Sequence, residues 1–547
     1  MTNMKMKKVL VALAAGLVCA MTLTACGNSN SSSNADSLPK ARFTPDKKVP
    51  SWQKDTKHSA SLTWYVNFDW YKRAGWGKDT VSAQIKKDMN IDVKFVAGND
   101  DKLNTMMASG KLPDLVTFDR QLAVAQNAKK FALPLNTLSK KYDPYFLATA
   151  AKPQTVKWYT QPDGNLYTYP SFSTNEDDYK DGNVVADQVF IVRKDIYEKI
   201  GKPNMSTPEG FLKALQEAKK AAPKTDNGTA LVPFASTALD IQNGGDGALG
   251  GTLQDFLRIP LTKDGKWYDR DADPEYLTWL DTFRQAYSEG LITNAQFADN
   301  DNTMKEKMTQ GTYFAYLHSN TKGLNEYMAD NNRRNPKQTY IAVDGPKNSK
   351  GQEPQFTGGS ISGWTNTFIT KNTKEPQKAM ELLTYMASKH GTMVTTFGVK
   401  DKTYTMKDGQ AVLTPDVEAL RNKDAATYDK KHGMGSYWEV ADDPYAISMG
   451  EKPAATISQM VEWASNKVAP RFEVENIDPT PGTALARNLT AINTDRVQTL
   501  VKVIKTGSKS EADKIWKDFL ARRKNNNWDE IVKTRNEQVA KNIKKLK

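Results

Sequence analysis

From about residue 60 onward, short apolar runs alternate with longer stretches in which apolar residues recur every three or four positions. SLTWYVNF is rich in aromatic and branched residues and reads as a strand. In DTVSAQIKKDMN, Val81, Ile85 and Met89 fall at four-residue spacing, which predicts a helix over 79–90. IDVKFVAG predicts a second strand, DDKLNTMMASG a second helix closed by Gly110, and DLVTFD a third strand. Strand and helix alternating through short connections is the pattern of an open, mostly parallel sheet with helices on both faces. Farther along, VFIVRKDIY and TYIAV read as strands, and helices are expected at 208–221, 274–289 and 375–389. About the last sixty residues read as mostly helical. Leu485, Leu489 and Ile492 make one stripe, and Ser510 with Asp513 resembles a capping box ahead of Ile515, Trp516 and Phe519. No internal repeat is visible.

The start of the chain breaks this pattern. Lys5, Lys7 and Lys8 precede an apolar run from Val9 to Leu23, the length of a secretory h-region and short for a membrane span. The run ends in Leu23-Thr24-Ala25-Cys26-Gly27, the lipobox pattern of bacterial lipoproteins. A small residue precedes the bond to be cut, and a thiol comes after it to carry diacylglycerol. Residues 1–25 therefore read as a signal peptide. Cys26 reads as the lipidated first residue of a mature chain held at the extracellular face of a cell membrane. Each buried CH₂ contributes about 0.8 kcal/mol, so two or three acyl chains hold firmly. Residues 26–60 read as a tether: GNSNSSSNAD is small and polar, Pro39, Pro45 and Pro50 stiffen the adjoining stretch, and order is expected near Ser61. As a flexible coil, such a linker reaches roughly 30–35 Å.

The chain of 547 residues has room for roughly two to four domains' worth of core. No later apolar run is long enough to span a membrane. Cys19 and Cys26 are the only cysteines, so the mature fold holds no disulfide, and a large core can do without one. Net charge is +13, and discounting the three signal lysines leaves +10. The basic residues are mixed with acids along the helices, without an arginine cluster or nucleic-acid motif. They read as a solvated surface, one that could still be drawn towards anionic wall polymers or lipid headgroups.

Several segments, taken in order, resemble the substrate-binding lipoproteins of bacterial ABC importers, in particular the long carbohydrate-binding subgroup, with maltose-binding protein as a distant cousin. SLTWYVNFDW is similar to the first strand and its loop, and ASGKLPDLVTFD to the helix end, proline and strand after it. PLNTLSKKYDPYF, GNLYTYP and IVRKDIYEKIGKPNMSTPEGFLKAL lead through the first hinge into a second lobe. TQGTYFAYL, then VDGPKNSKGQ with TGGSISGWTNTFITKNTKEPQKAMELLTYM, resemble the second lobe and the return to the first, and FGVKDKTYTMKDGQ is typical of the long subgroup. The resemblance runs from about Ser61 to at least Phe397. It implies an α/β, two-lobed periplasmic-binding-protein-like (type II) fold with an interlobe ligand cleft and extra C-terminal helices. Lobe one falls at 61–172 plus about 356–405, and lobe two at about 185–350. About 406–547 forms a crossing segment and helices packing on both lobes.

Ligands of open α/β sheets bind beyond the carboxyl ends of the strands. That rule selects Asn67-Phe68-Asp69-Trp70-Tyr71 after the first strand, with Trp76 close by, and Asp119-Arg120 after the third. The resemblance to maltose-binding protein makes Asp69 and Asp119 acids that hydrogen-bond sugar hydroxyls, with Arg120 a basic neighbour. Tyr169 and Ser171 fall at the first hinge. His318, Ser319 and Asn320 come after TYFAYL, Trp364 comes after the second hinge, and GMGSYWE carries Tyr437 and Trp438. Sugars call for such types, since the C–H face of a pyranose packs on an aromatic ring and its buried hydroxyls need polar partners.

Other signals point elsewhere only weakly. Gly245-Asp246-Gly247-Ala248-Leu249-Gly250 fits G-x-G-x-x-G but comes after a poor strand, and reads as a loop at the cleft rim with Gln242 or Asn243 pointing inward. His58, His318, His390 and His432 lack metal-ligand spacing. Some long-subgroup relatives carry an EF-hand-like calcium loop where this chain has KTDNGTALVP. Asp226 and Asn227 are too few oxygens for six ligands, so no metal or cofactor is expected. The paired acids Asp442-Asp443 and Glu176-Asp177-Asp178 read as solvated turns rather than glycosidase carboxylates, and no nucleophile elbow is present. The expected function is a non-catalytic, monomeric receptor that captures an oligosaccharide and presents it to a separate permease and ATPase. The rivals are a receptor of the same fold for another solute such as a peptide, a surface carbohydrate-active enzyme, and a glycan adhesin.

Overall fold

A computed structural model describes residues 38–547 apart from Ala74. The signal peptide, the lipobox with Cys26 and the GNSNSSSNAD stretch lie outside the described residues. Among the described residues, no helix is long and apolar enough to cross a membrane.

The first lobe is built on β1 (Ala60–Val66), β2 (Ile91–Ala97) and β3 (Leu115–Asp119), which run parallel with β1 in the middle. Helices Thr80–Met89 and Asp100–Ser109 make the crossovers. Asp79 starts the first of them by accepting from the Ser82 N–H (2.8 Å), and Val81, Ile85 and Met89 are wholly buried beneath it. Asn99 caps the second, which ends at Gly110 in the left-handed region. Trp64, Tyr65 and Val66 are all buried, which explains the unbroken apolar run in β1: helices and loops cover both faces.

The chain then contributes β4 (Tyr169–Pro170) to this sheet and crosses to the second lobe. There β5 (Val189–Arg193), β6 (Val232–Ser236), β7 (Tyr313–His318) and β8 (Tyr340–Ala342) form a sheet in the order β8-β5-β7-β6. Only β6 and β7 are parallel in it. Phe211, Phe234, Trp279 and Phe283 fill its core. The chain returns to insert β9 (Thr365–Ile369) antiparallel between β3 and β4.

Three readings of the sequence are corrected. VFIVRKDIY is not one strand: β5 stops at Arg193 and helix Lys194–Lys199 begins. Arg193 Nε donates to Asp195 (3.0 Å), which sits in the first turn of that helix, and Ile196 turns into the second core. The C-terminal cap is Ser508, accepting from the Glu511 N–H (3.2 Å), rather than Ser510; Ser508-x-x-Glu511 is itself the stronger cap pattern. Residues 39–60, read as tether, pack on the first lobe. Trp52 is buried, Tyr142 Oη donates to the Pro39 carbonyl (2.6 Å), and Lys378, wholly buried, donates to the Asp55 carbonyl (2.7 Å). The stretch turns at Asp46–Val49 and Ser51–Gln53, and its Ser51 N–H donates to Asp143 (3.2 Å), so it lies as a strap on the first lobe.

The C-terminal helices Ala484–Lys505, Lys509–Arg522 and Trp528–Leu546 bury Ile492, Leu500, Trp516, Phe519 and Ile531 in the second-lobe core. The last helix also reaches the first lobe, where Lys545 Nζ donates to the Trp158 carbonyl.

Candidate functional site

The register of the sheets locates the cleft. Thr365 of β9 lies opposite Asp119 of β3, and Asn366 opposite Pro170 of β4. Residues 67–71, 119–120, 171 and 364 therefore gather at one end of the first sheet, the carboxyl end of β1 and β3. In the second sheet Val189 lies opposite His318, and Ser236 beside Leu317. Residues 187–188, 237 and 318–320 gather at the carboxyl end of β6 and β7. The crossing segments leave both sheets from these ends, so both present carboxyl ends to the hinge, the usual place for a ligand.

The hinge is tightly bonded. Gly363 has φ +63°, and a Cβ there would lie 1.9 Å from the Ser171 carbonyl, so two crossing segments touch where only glycine fits. The Glu475 carboxylate accepts from Ser360 Oγ (2.7 Å) and from the N–H groups of Ile361 (3.0 Å) and Ser362 (2.9 Å). Tyr179 Oη donates to the Gly359 carbonyl (2.6 Å) and accepts from its N–H (2.8 Å).

Beside this hinge lies a cluster of four aromatic rings. Phe68 contacts Trp70 (5.1 Å between centroids), Trp364 (4.9 Å) and Trp438 (5.7 Å). Trp364 and Trp438 are 4.8 Å apart, and Trp70 lies parallel to Trp364 within 4° at 6.3 Å. Trp70 is 54% exposed and Trp364 37%; the other exposed large apolar side chains among the described residues are Met406 and Val412, on a hairpin elsewhere. Two part-exposed tryptophans stacked together form a patch that water disfavours, which makes this the candidate binding surface.

The backbone holds this platform from several sides. Asn67 Oδ1 accepts from Tyr65 Oη (2.8 Å) and its Nδ2 donates to Asp100 (2.6 Å), fixing the loop that carries Phe68 and Trp70. The Arg120 N–H donates to the Trp364 carbonyl (3.3 Å), and Arg120 Nε to the Gly363 carbonyl (2.8 Å). Thr367 Oγ1 donates to the Glu439 carbonyl (3.0 Å), next to Trp438. Asp119 accepts from the Gln121 N–H (2.8 Å). Asp69 stands exposed between Phe68 and Trp70, its carboxylate without a hydrogen bond among the described residues.

The structure thus brings Asp69, Trp70, Trp364 and Trp438 together, with Asn67, Asp119 and Arg120 as their supports. Tyr169 lies apart, buried against Phe146 with its hydroxyl accepting from the Lys152 N–H (3.0 Å). His318 and Asn320 belong to the second lobe. Asn320 caps a turn by accepting from the Gly323 N–H (3.0 Å). Phe68, the ring shared by three tryptophans, lay in the loop selected after the first strand but was not singled out as a ligand contact, because it also closes the run SLTWYVNF. The glycine-rich loop comes after β6, and Gly247 lies where a Cβ would strike the Thr237 carbonyl at 2.2 Å. Asn243 bonds back to Asp240 (2.8 Å) and is exposed. Asp226 is held by Arg334 (3.0 Å) and Asn335 (3.0 Å).

His318 is buried, with Nδ1 3.0 Å from Thr237 Oγ1, and burial pushes its pKa down to about 4. The imidazole is therefore neutral in the fold, whereas the unfolded chain takes up a proton near pH 6.5. Its contribution to stability is complete above pH 6.5 and is lost as pH falls to 4, up to about 3 kcal/mol. His318→Gln is expected to flatten this limb of the denaturation-versus-pH curve. The difference between the two curves isolates His318, because Asp143, pushed up to about 6 by burial, changes stability in the opposite sense.

The sequence profile of the bacterial extracellular solute-binding proteins matches residues 74–393, more than half of the chain. The chain belongs to this family. It is a family of binding proteins rather than enzymes. A fructooligosaccharide ABC transporter substrate-binding protein, FusA of Streptococcus pneumoniae, is 26% identical over 320 residues, which cover 56% of this chain and 57% of that relative. A crystal form of FusA, an EF-hand mutant with fructo-nystose, superimposes with a TM-score of 0.66 at 16% identity, covering 88% of this chain and 99% of that one. The alginate-binding protein AlgQ2 does so with 0.63 at 18% identity, covering 89% and 99%. These likenesses establish the two-lobed type II fold with its interlobe cleft.

Proposed function

We propose that this chain is the substrate-binding component of an ABC importer and captures an oligosaccharide between its lobes. The observation that carries the reading is the exposed Trp70–Trp364 stack beside the uncommitted Asp69, at the hinge end of the first sheet. Flat apolar rings suit the C–H faces of sugars, and a free carboxylate suits their hydroxyls. In this reading Trp70, Trp364 and Trp438 stack on the ligand and Asp69 accepts its hydroxyls. Asn67, Asp119 and Arg120 hold the loops, Tyr169 supports the hinge from within, and His318 and Asn320 close from the second lobe. Hinge closure of the lobes buries the sugar. The names of the relatives, a fructooligosaccharide-binding and an alginate-binding protein, support the ligand class. The lipobox supports a lipid anchor at Cys26, on the outer face of the membrane beside a separate permease and ATPase.

The test is tryptophan fluorescence of the protein titrated with kestose, maltotriose, xylotriose and cellotriose, and in parallel with short peptides. A saturable change with at least one sugar and none with peptides is expected. A change with peptides alone would transfer the cleft to the rival solute.

A further inference from the structure

A buried acid lies directly behind the platform. Glu439 is next to Trp438 in sequence, its side chain is wholly buried, and neither carboxyl oxygen has a well-formed hydrogen bond. Tyr71 and Arg73 face it. Tyr71 Oη and Arg73 Nε are likewise buried without a hydrogen bond. Buried polar groups are normally paired, and a buried carboxylate without a geometric hydrogen bond, beside a phenol and a guanidinium, calls for a reason.

The same groups brace the platform. The Tyr71 ring stands edge-on to Trp438 at 5.8 Å. The Arg73 guanidinium lies 4.2 Å over the Tyr71 ring; its Nη1 donates to the Lys72 carbonyl (3.0 Å) and its Nη2 to the Ser436 carbonyl in the segment that carries Trp438. Beyond Arg73 stand Asp429 and Asp79, and Asp79 accepts from Tyr437 Oη (2.7 Å). A cavity of about 320 Å³, lined by Tyr71, Arg73, Trp76, Lys94 and Phe95, leaves Arg73 and Tyr71 room to shift.

We infer that Glu439 is a positioning residue whose ionised carboxylate draws Tyr71 and Arg73 against the back of Trp438, so that sugar capture weakens when Glu439 takes up a proton. This rests on the sugar-binding reading of the cleft. Ionised, the carboxylate attracts the guanidinium and accepts from the phenol. Protonated, it loses that pull, and Arg73 relaxes into the cavity towards Asp429. Burial pushes the Glu439 carboxyl up to about 7, which places the change near neutrality. By reciprocity, the sugar favours the ionised form, and its binding releases protons.

The experiment has two arms. In the first, the intrinsic tryptophan fluorescence of the free protein is titrated from pH 8.5 to 5.5. A step near pH 7 is expected in the wild type and absent in Glu439→Gln, which keeps the shape of the side chain and removes the charge. In the second arm, kestose, maltotriose, xylotriose and cellotriose are titrated at each pH. Affinity of the wild type for the sugars that bind is expected to fall about tenfold on acidification, within the usual range of coupling. Glu439→Gln is expected to bind at the weaker level at every pH. Tyr71→Phe, which retains the ring, is expected to shift the midpoint. A wild-type affinity that is flat with pH overturns the inference and leaves the sugar reading standing. So does a Glu439→Gln profile that copies the wild type. Failure of every sugar at pH 8.5 overturns both.

Discussion

Replacing Trp364 with alanine is expected to weaken oligosaccharide binding roughly 30-fold or more and to lower thermal stability less than the loss of a fully buried ring. The two effects separate because the ring is in contact yet open: it touches Phe68, Trp70 and Trp438, and 37% of it faces solvent. A part-exposed ring contributes less to folding than a fully buried one, whereas truncating an aromatic hot spot of a binding surface costs about 2 kcal/mol or more. Trp70→Ala should behave alike, since that ring is 54% exposed. Trp438→Ala differs in degree. That ring is buried at 9% exposure, so its loss lowers both affinity and stability. Titration calorimetry and thermal unfolding of the three variants check the ordering. If Trp364→Ala bound sugar as tightly as the wild type, the platform would not be the contact surface.

Asp255→Ala is expected to lower stability by about 3–5 kcal/mol, measured by urea denaturation. Asp255 is 5% exposed, and one carboxyl oxygen accepts from both Arg270 Nη2 (2.6 Å) and Arg471 Nη1 (2.7 Å). Removing it strands two buried guanidiniums. The loss should also be felt at the hinge. Arg471 lies on the last crossing segment and donates to the Gln355 carbonyl of the preceding one, so Asp255 fastens both crossings to the second lobe. A cost below about 1 kcal/mol would mean that water reaches these charges readily.

Much of the first lobe could be read before the structure. Val81, Ile85 and Met89 announced their helix because a one-sided helix must repeat its apolar residues at that spacing, and all three are buried as that requires. Asn67, Asp119 and Arg120 fell at strand ends for the same local reason. The platform itself was legible only in pieces. Trp70, Trp364 and Trp438 come from three loops far apart in sequence, and nothing local says that β9 returns beside β3 to unite them. Phe68, flanked by Asn67 and Asp69, closed the run read as strand and gave no sign that it would join the tryptophans. Glu439 gave no signal, since an acid beside tryptophan looks like surface until burial is known. The strap at 39–60 misled for a related reason: its anchors Trp52 and Pro39 find their partners Tyr385 and Tyr142 only through tertiary contact.

A crystal structure with the tightest-binding oligosaccharide of the panel would show whether the Trp70–Trp364–Trp438 face of the interlobe cleft holds a sugar. Expected are a sugar ring in van der Waals contact with Trp364 or Trp438, a hydroxyl donating to Asp69, and closure bringing His318 and Asn320 towards it. Sugar density on any other face of the molecule, with these tryptophans still open to solvent, would contradict the sugar-binding reading of this cleft.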